Sequence, residues 1–322
     1  YQTSLLSKSN TFNELDAKNL SKYFSGIVAF ENKNNSDALN FFKSSKILIS
    51  QHDSYLKNFV ITLVLEGDVS QAINVIKTNG KKNNSDFFEA YILLALDSIK
   101  RNNIDKAINT LAEVKEYHTN DNLNSIVIRT LEEYLNVFKN KEIRDVNNNF
   151  GNLSKISETF QRCYLDDKST KSLFLNLINN TQADYTRYIY FYLTYLLEKN
   201  QVQEAKSLTE ELNYINSTLL LSQGKSWLEN GEYSEFGKIF SCKNQNDLIG
   251  EFLFLISNLY SSQNDFENSN FYLSLSNYLN PKFVFNLSLV AENSYINKNY
   301  DKSKEILKIF GKDKNFYYWY RS

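Results

Sequence analysis

The sequence predicts an all-α chain, a solenoid of about eight stacked antiparallel helix hairpins. Three observations carry this. The chain has one Pro and nine Gly in 322 residues, too few for a protein of β-hairpins and tight turns. Aromatic residues make up 15%, with 22 Tyr and 23 Phe, more apolar surface than a disordered chain keeps in water. One polar phrase also recurs along the chain at a near-constant interval, the mark of a repeat architecture.

The phrase reads NKNNSDA at 32–38, LEGDVSQA at 65–72, RNNIDKA at 101–107, EKNQVQEA at 198–205, QNDFENS at 263–269 and NKNYDKS at 297–303. Turn formers come first, then usually one apolar residue, two spacers and a small residue. The residues that close the turns are Ala38, Ala72, Ala107, Val146, Ala205, Phe236, Ser269 and Ser303, in steps of 34, 35, 39, 59, 31, 33 and 34. Most have a second small residue twelve positions earlier, at Gly26, Ala95, Gly224, Ser257 or Ala291. Four positions later stands a mostly bulky residue, Phe42, Ile76, Leu111, Phe150, Phe240, Leu273 or Leu307, with Thr209 the exception.

Taken in order, residues 1–18 are an N-terminal segment or cap, and 19–150 hold units 1 to 4. Unit 3 shows the design. An apolar helical stretch, DFFEAYILLALDSIK at 86–100, precedes the turn. An amphipathic one, IDKAINTLAEVKEY at 104–117, follows it. Its Ile104, Ala107, Ile108, Leu111 and Val114 fall at helical spacing on one face. Small residues let two helix backbones approach, and the bulky residue fills the space between hairpins. Asn, Asp and Gly in the connection tolerate left-handed backbone. The 59-residue step is one unit plus 25, which predicts an extra, irregular helical pair at 151–181. Units 5 to 8 occupy 182–314, and 315–322, ending FYYWYRS, starts a further helix. Val60, Tyr134 and Leu193 replace the first small residue and Val146 and Phe236 the second, so units 4 to 6 are the least regular. A lone hairpin cannot bury both faces. Stacking buries a continuous core in which each unit touches only its neighbours.

A period of 34 with small residues at positions 8 and 20 and a bulky one at 24 resembles the tetratricopeptide repeat. The best copy is 250–283, where Leu253, Ile256, Ser257, Tyr260, Ser269, Leu273 and Pro281 take positions 4, 7, 8, 11, 20, 24 and 32. The segment 251–283 is similar to a group of bacterial tetratricopeptide proteins, mostly uncharacterised and often exported. The resemblance implies a right-handed superhelix whose first helices line a concave groove. By register, the groove contacts are Tyr23, Ile27, Ile61, Ile92 and Leu96, then Arg187, Tyr190, Thr194, Lys225, Phe254, Asn258, Ser288, Glu292 and Tyr295. It also implies a partner, a peptide or helix of another protein. Lys57 is followed by Ile61 rather than Asn four positions on, which argues against capture of a peptide's C-terminal carboxylate.

Lys+Arg 36 against Asp+Glu 37 gives a net charge of -1, so no basic excess points to nucleic acid. Apolar runs such as YIYFYLTYLL at 188–197 fall short of the roughly 20 residues that span a bilayer. No signal peptide is present, but the chain opens at Tyr1, and a removed leader with a periplasmic or exported location is the favoured expectation. Cys163 and Cys242 are far apart and in no metal spacing, and read as two buried thiols, forming at most one disulfide. His52 and His118, the only histidines, read as solvated ends, and no arrangement holds a base against a nucleophile. GKS at 224–226 lacks the first glycine of a phosphate loop, since position 219 is Leu219. DVNNNFG at 145–151 has its glycine one place late for a calcium loop, and Ile156 stands where the closing acid belongs. Asn216-Ser217-Thr218 forms a sequon of the kind an Asn-rich chain yields by chance. The expectation is therefore a non-catalytic interaction scaffold with no cofactor and no metal. The alternatives are an envelope assembly factor for glycan or lipid-linked intermediates, and the accessory repeats of an enzyme lying elsewhere.

Overall fold

The computed structural model describes residues 14–50, 52–79, 85–114, 122–143, 150–179, 186–210 and 219–311. Among these every regular element is helical. In order they are α1 (Glu14–Glu31), α2 (Asn35–Ser44), α3 (Asp53–Leu65), α4 (Val69–Asn79), α5 (Phe88–Lys100), α6 (Ile104–Ala112), α7 (Leu123–Asn140), α8 (Asn152–Leu165), α9 (Thr170–Ile178), α10 (Thr186–Glu198), α11 (Val202–Glu210), α12 (Leu219–Glu229), α13 (Ser234–Ile239), α14 (Gln245–Ser262), α15 (Phe266–Leu279), α16 (Leu287–Ile296) and α17 (Tyr300–Gly311). Short 3₁₀ turns cover Lys46–Ser50 and Val284–Asn286. The chain divides into two compact units, residues 1–90 and 91–322.

The recurring phrase has one conformation. Lys33, Gly67, Asn102, Lys141, Asn200, Gly231, Asn264 and Lys298, each five residues before a marker, have φ between +57° and +84°. At seven of these turns the next N–H reaches the carbonyl five residues back, as in Asp68 to Leu63 and Asn103 to Ser98, at 2.8–3.0 Å. This satisfies carbonyls that the end of a helix leaves unpaired. The same residue then caps the next helix. Side-chain oxygens of Asn34, Asp68, Asn103, Asp265 and Asn299 accept from the N–H three residues on, at 3.2–3.4 Å. One three-residue connection thus ends one helix and starts its antiparallel neighbour. Lys33, Lys141 and Lys298 depart from the expected Asn, Asp or Gly. A lysine in left-handed backbone is strained, and at Lys33 and Lys298 the closing hydrogen bonds from Asn34 to Ala29 and from Asn299 to Ser294 outweigh the local preference.

The small residues lie where backbones meet. Ser257 Oγ on α14 is 2.9 Å from Ser269 Oγ on α15. Ala38, Ala72, Ala95, Ala107 and Ala205 are completely buried. A Cβ at Gly26 would stand 2.9 Å from the Phe42 ring, and one at Gly224 would stand 3.1 Å from the Tyr190 ring and 3.3 Å from Phe236. Gly224 is therefore explained by packing. His52 does not stand free as a solvated end. It stacks on Tyr23 at 5.1 Å, and Tyr23 stacks on Tyr55 at 5.0 Å.

In residues 91–322 the expectation that each hairpin touches only its neighbours does not hold. Lys100 on α5 donates to the Tyr278 carbonyl at the end of α15 and sits 3.7 Å over its ring. The Tyr278 hydroxyl donates to Asp97 Oδ1 at 3.3 Å. α14 packs against α7 and α8 as well as α15. The cause is composition. α14 buries Leu248, Ile249, Phe252, Leu253 and Ile256 together with the acidic Asp247 and Glu251, more of its circumference than one neighbour covers. An aromatic core joins distant segments: Phe191 lies 4.4 Å from Phe240, 5.3 Å from Phe160 and 5.8 Å from Phe283.

The two cysteines are not separate thiols. Cys163, near the end of α8, and Cys242, just before α14, form a buried disulfide with Cα atoms 5.7 Å apart. Spacing could not reveal it, because 79 residues separate the partners. Lys243 reinforces the junction by donating to the carbonyls of Cys163 at 3.2 Å and Tyr164 at 2.9 Å. A cation there satisfies terminal carbonyls and complements the helix dipole.

Candidate functional site

An open cleft of about 780 Å³ lies between α7 and α8, within the range of roughly 300–1,000 Å³ of ligand sites. Arg129, Glu132, Glu133 and Asn136 line it from α7, at the spacing of one helix face. Ser154, Glu158, Gln161 and Leu165 line it from α8, again one face. Lys141, Glu142, Ile143, Arg162 and Asp167 complete the rim. The rest of α7 turns inward, with Ile128, Leu131, Leu135 and Phe138 buried.

Several side chains are held in place. Arg162 spans two carboxylates, Nε to Glu158 Oε1 at 2.8 Å and Nη1 to Asp167 Oδ2 at 3.2 Å. These bonds, the one to Glu158 first, raise the Arg162 pKa further, so its charge is permanent. Asp167 is held below the usual carboxylate range, chiefly because the Ser169 hydroxyl and N–H donate to it. Asn136 is committed on both sides. It donates to the Glu142 carbonyl at 3.2 Å and accepts from Asn140 at 2.7 Å. Lys141 Nζ donates to the Tyr164 hydroxyl at 2.6 Å and lies 4.4 Å over its ring. Gln161 differs. It is 4% exposed and lines the cleft, and its amide makes no hydrogen bond among the described residues.

The groove positions expected from the repeat register fare differently. Tyr23, Ile92, Leu96, Tyr190 and Thr194 are buried, so they are core residues and not the lining of an open groove. Tyr190 stacks on Phe236 at 5.2 Å, and Thr194 Oγ1 donates to the Tyr190 carbonyl at 3.0 Å. Ile27 and Ile61 are half-buried. Arg187 is bound within the protein. It grips Glu251 through Nε–Oε1 at 2.8 Å and Nη2–Oε2 at 2.6 Å, donates to Asn286 Oδ1 at 2.7 Å, and lies 3.9 Å over the Phe254 ring. The structure thus joins two expected contacts, Arg187 and Phe254, as a packing unit. Lys225 stands 3.9 Å from Glu229, and Ser288 Oγ donates to the Phe285 carbonyl at 2.7 Å. Asn258, Glu292 and Tyr295 are exposed, with Tyr295 edge-on to Tyr300 at 5.4 Å.

Register reasoning missed the α7–α8 cleft because it belongs to the break in the period. The quartet 129, 132, 133 and 136 was the available signal, a charged helix face followed by a mostly polar one at 154–165. No protein-family model, curated protein or solved structure matches this chain. Among the described residues no group of His, Cys, Asp and Glu is placed to hold a metal ion, and no helix is long and apolar enough to cross a membrane. His118, the 145–149 part of DVNNNFG, the 216–218 sequon and the aromatic C-terminus lie outside the described residues.

Proposed function

We propose that this chain is a non-catalytic scaffold that holds a segment of another protein in the α7–α8 cleft. One observation carries the reading: a charged face of α7 and a polar face of α8 turn into the same concavity, whereas such residues on a purely structural helix face outward. Helix-to-helix clefts of this kind are where proteins seat peptides. The repeating helix-turn-helix connection supports the wider reading, a right-handed tetratricopeptide-like superhelix. The Cys163–Cys242 bond supports an oxidising, exported location, because such bonds persist outside reducing compartments.

A photo-crosslinking residue tests the placement. At Glu142 on the cleft rim it should capture a discrete partner in native extract. At Asn109, exposed on α6, it should not. Recovery of the same proteins from both positions refutes the assignment of the cleft.

A further inference from the structure

We infer that the occupant of the α7–α8 cleft is an extended peptide segment carrying a basic side chain. This rests on the scaffold reading and adds the chemistry of the bound segment. The walls carry five carboxylates, Glu132, Glu133, Glu142, Glu158 and Asp167, against three cations, Arg129, Lys141 and Arg162. All three cations have partners within the protein, and Arg162 takes up part of the charge of two of the carboxylates, which leaves the walls with two more carboxylates than cations. Arg162 is bridged between Glu158 and Asp167, and Lys141 is drawn to the ring and hydroxyl of Tyr164. An arriving guanidinium or ammonium meets an excess of negative charge, and an arriving carboxylate meets repulsion.

Charge alone would admit any amine or cation. Gln161 narrows the choice. The residue is 4% exposed, yet its amide reaches the open cleft and makes no hydrogen bond to the protein among the described residues, so its hydrogen-bonding capacity is available to a bound segment. The side chain offers a donor and an acceptor together. A peptide backbone presents the matching N–H and C=O, and a bare cation does not. The dimensions agree. At 1.5 Å per residue the wall from Arg129 to Asn136 runs about 10 Å and that from Ser154 to Leu165 about 16 Å. These are the lengths of about three to five residues of extended chain.

Fluorescein-labelled Gly/Ala hexapeptides carrying two Arg, two Gln or two Glu, titrated against the full chain by anisotropy, test this. The Arg peptide should bind about tenfold or more tighter than the Gln peptide, and its affinity should fall with added salt. Glu142→Gln should weaken the Arg peptide alone, by about two- to fivefold. Gln161→Leu should weaken both Arg and Gln peptides. A thermal melt on each variant separates loss of binding from loss of folding. Equal or tighter binding of the Glu peptide overturns the inference. So does failure of all three peptides to bind, or an Arg affinity unmoved in both variants at unchanged melting temperature. If these fail while the Glu142 crosslink still captures its partner, the basic-peptide chemistry is wrong and the scaffold reading stands. If the crosslink fails too, both fall.

Discussion

Replacing Arg187 with Met removes a charge that a buried carboxylate depends on and keeps most of the side chain's volume. Glu251 is 2% exposed at its side chain, and its two oxygens are both taken by Arg187. Burial pushes its pKa above the usual range, and Arg187 opposes that shift. In the variant the carboxylate keeps its desolvation cost and loses its compensation, a loss of about 3–5 kcal/mol. For a unit of this size that is a fall in melting temperature of roughly 6–20 °C. Arg187→Met should be worse than Glu251→Gln, because Arg187 is partly solvated whereas Glu251 is not. Replacing both with apolar residues should recover much of the loss. The pH dependence gives an independent sign. Without Arg187, Glu251 takes up a proton more readily, so the deficit should shrink as pH falls from 7 toward 5. Thermal unfolding followed by circular dichroism at both pH values reads all of this. A variant within 1 °C of the parent, or a deficit that grows on acidification, refutes the reasoning.

Ala107→Leu should destabilise by about 1–3 kcal/mol, since Ala107 is completely buried and has no space to expand into; a denaturant titration checks it, and a neutral result means the hairpin packing is wrong. Cys163→Ala/Cys242→Ala should lower stability by about 4.5 kcal/mol on the chain-entropy model for a loop closed across 79 residues, seen as a lower melting temperature than that of the oxidised parent. Asp247 is the clearest titrating group. Burial pushes it up to about 7, opposed by the Ser241 N–H and Lys282 and aided by Glu198. A raised carboxylate keeps its proton longer in the folded state, so its contribution is full below pH 3.8 and is lost as pH rises through about 7. Asp247→Asn should flatten the stability curve between those limits, and an unchanged curve assigns the titration elsewhere.

The local rules were legible in the chain. RNNIDKA and its cognates specified where one helix ends and the next begins, because a left-handed residue followed by a capping residue is decided within six positions. The positions of Ala38, Ala107, Gly224, Ser257 and Ser269 were legible for the same reason, since a helix's small face follows from its spacing. Burial on the far side of each first helix was not. Register placed Tyr190, Thr194 and Arg187 in an open groove, but their surroundings are supplied by Phe236, Glu251 and Asn286, dozens of residues away.

What the sequence determined by itself was the all-helical hairpin order, because turn chemistry and helical periodicity act over a few residues. The tertiary structure alone decided which faces are covered. It closed Cys163 on Cys242, gave Arg187 to Glu251, and left the charged face of α7 and the polar face of α8 facing one cleft. Those outcomes depend on distances between residues far apart in the chain, and no local period encodes them.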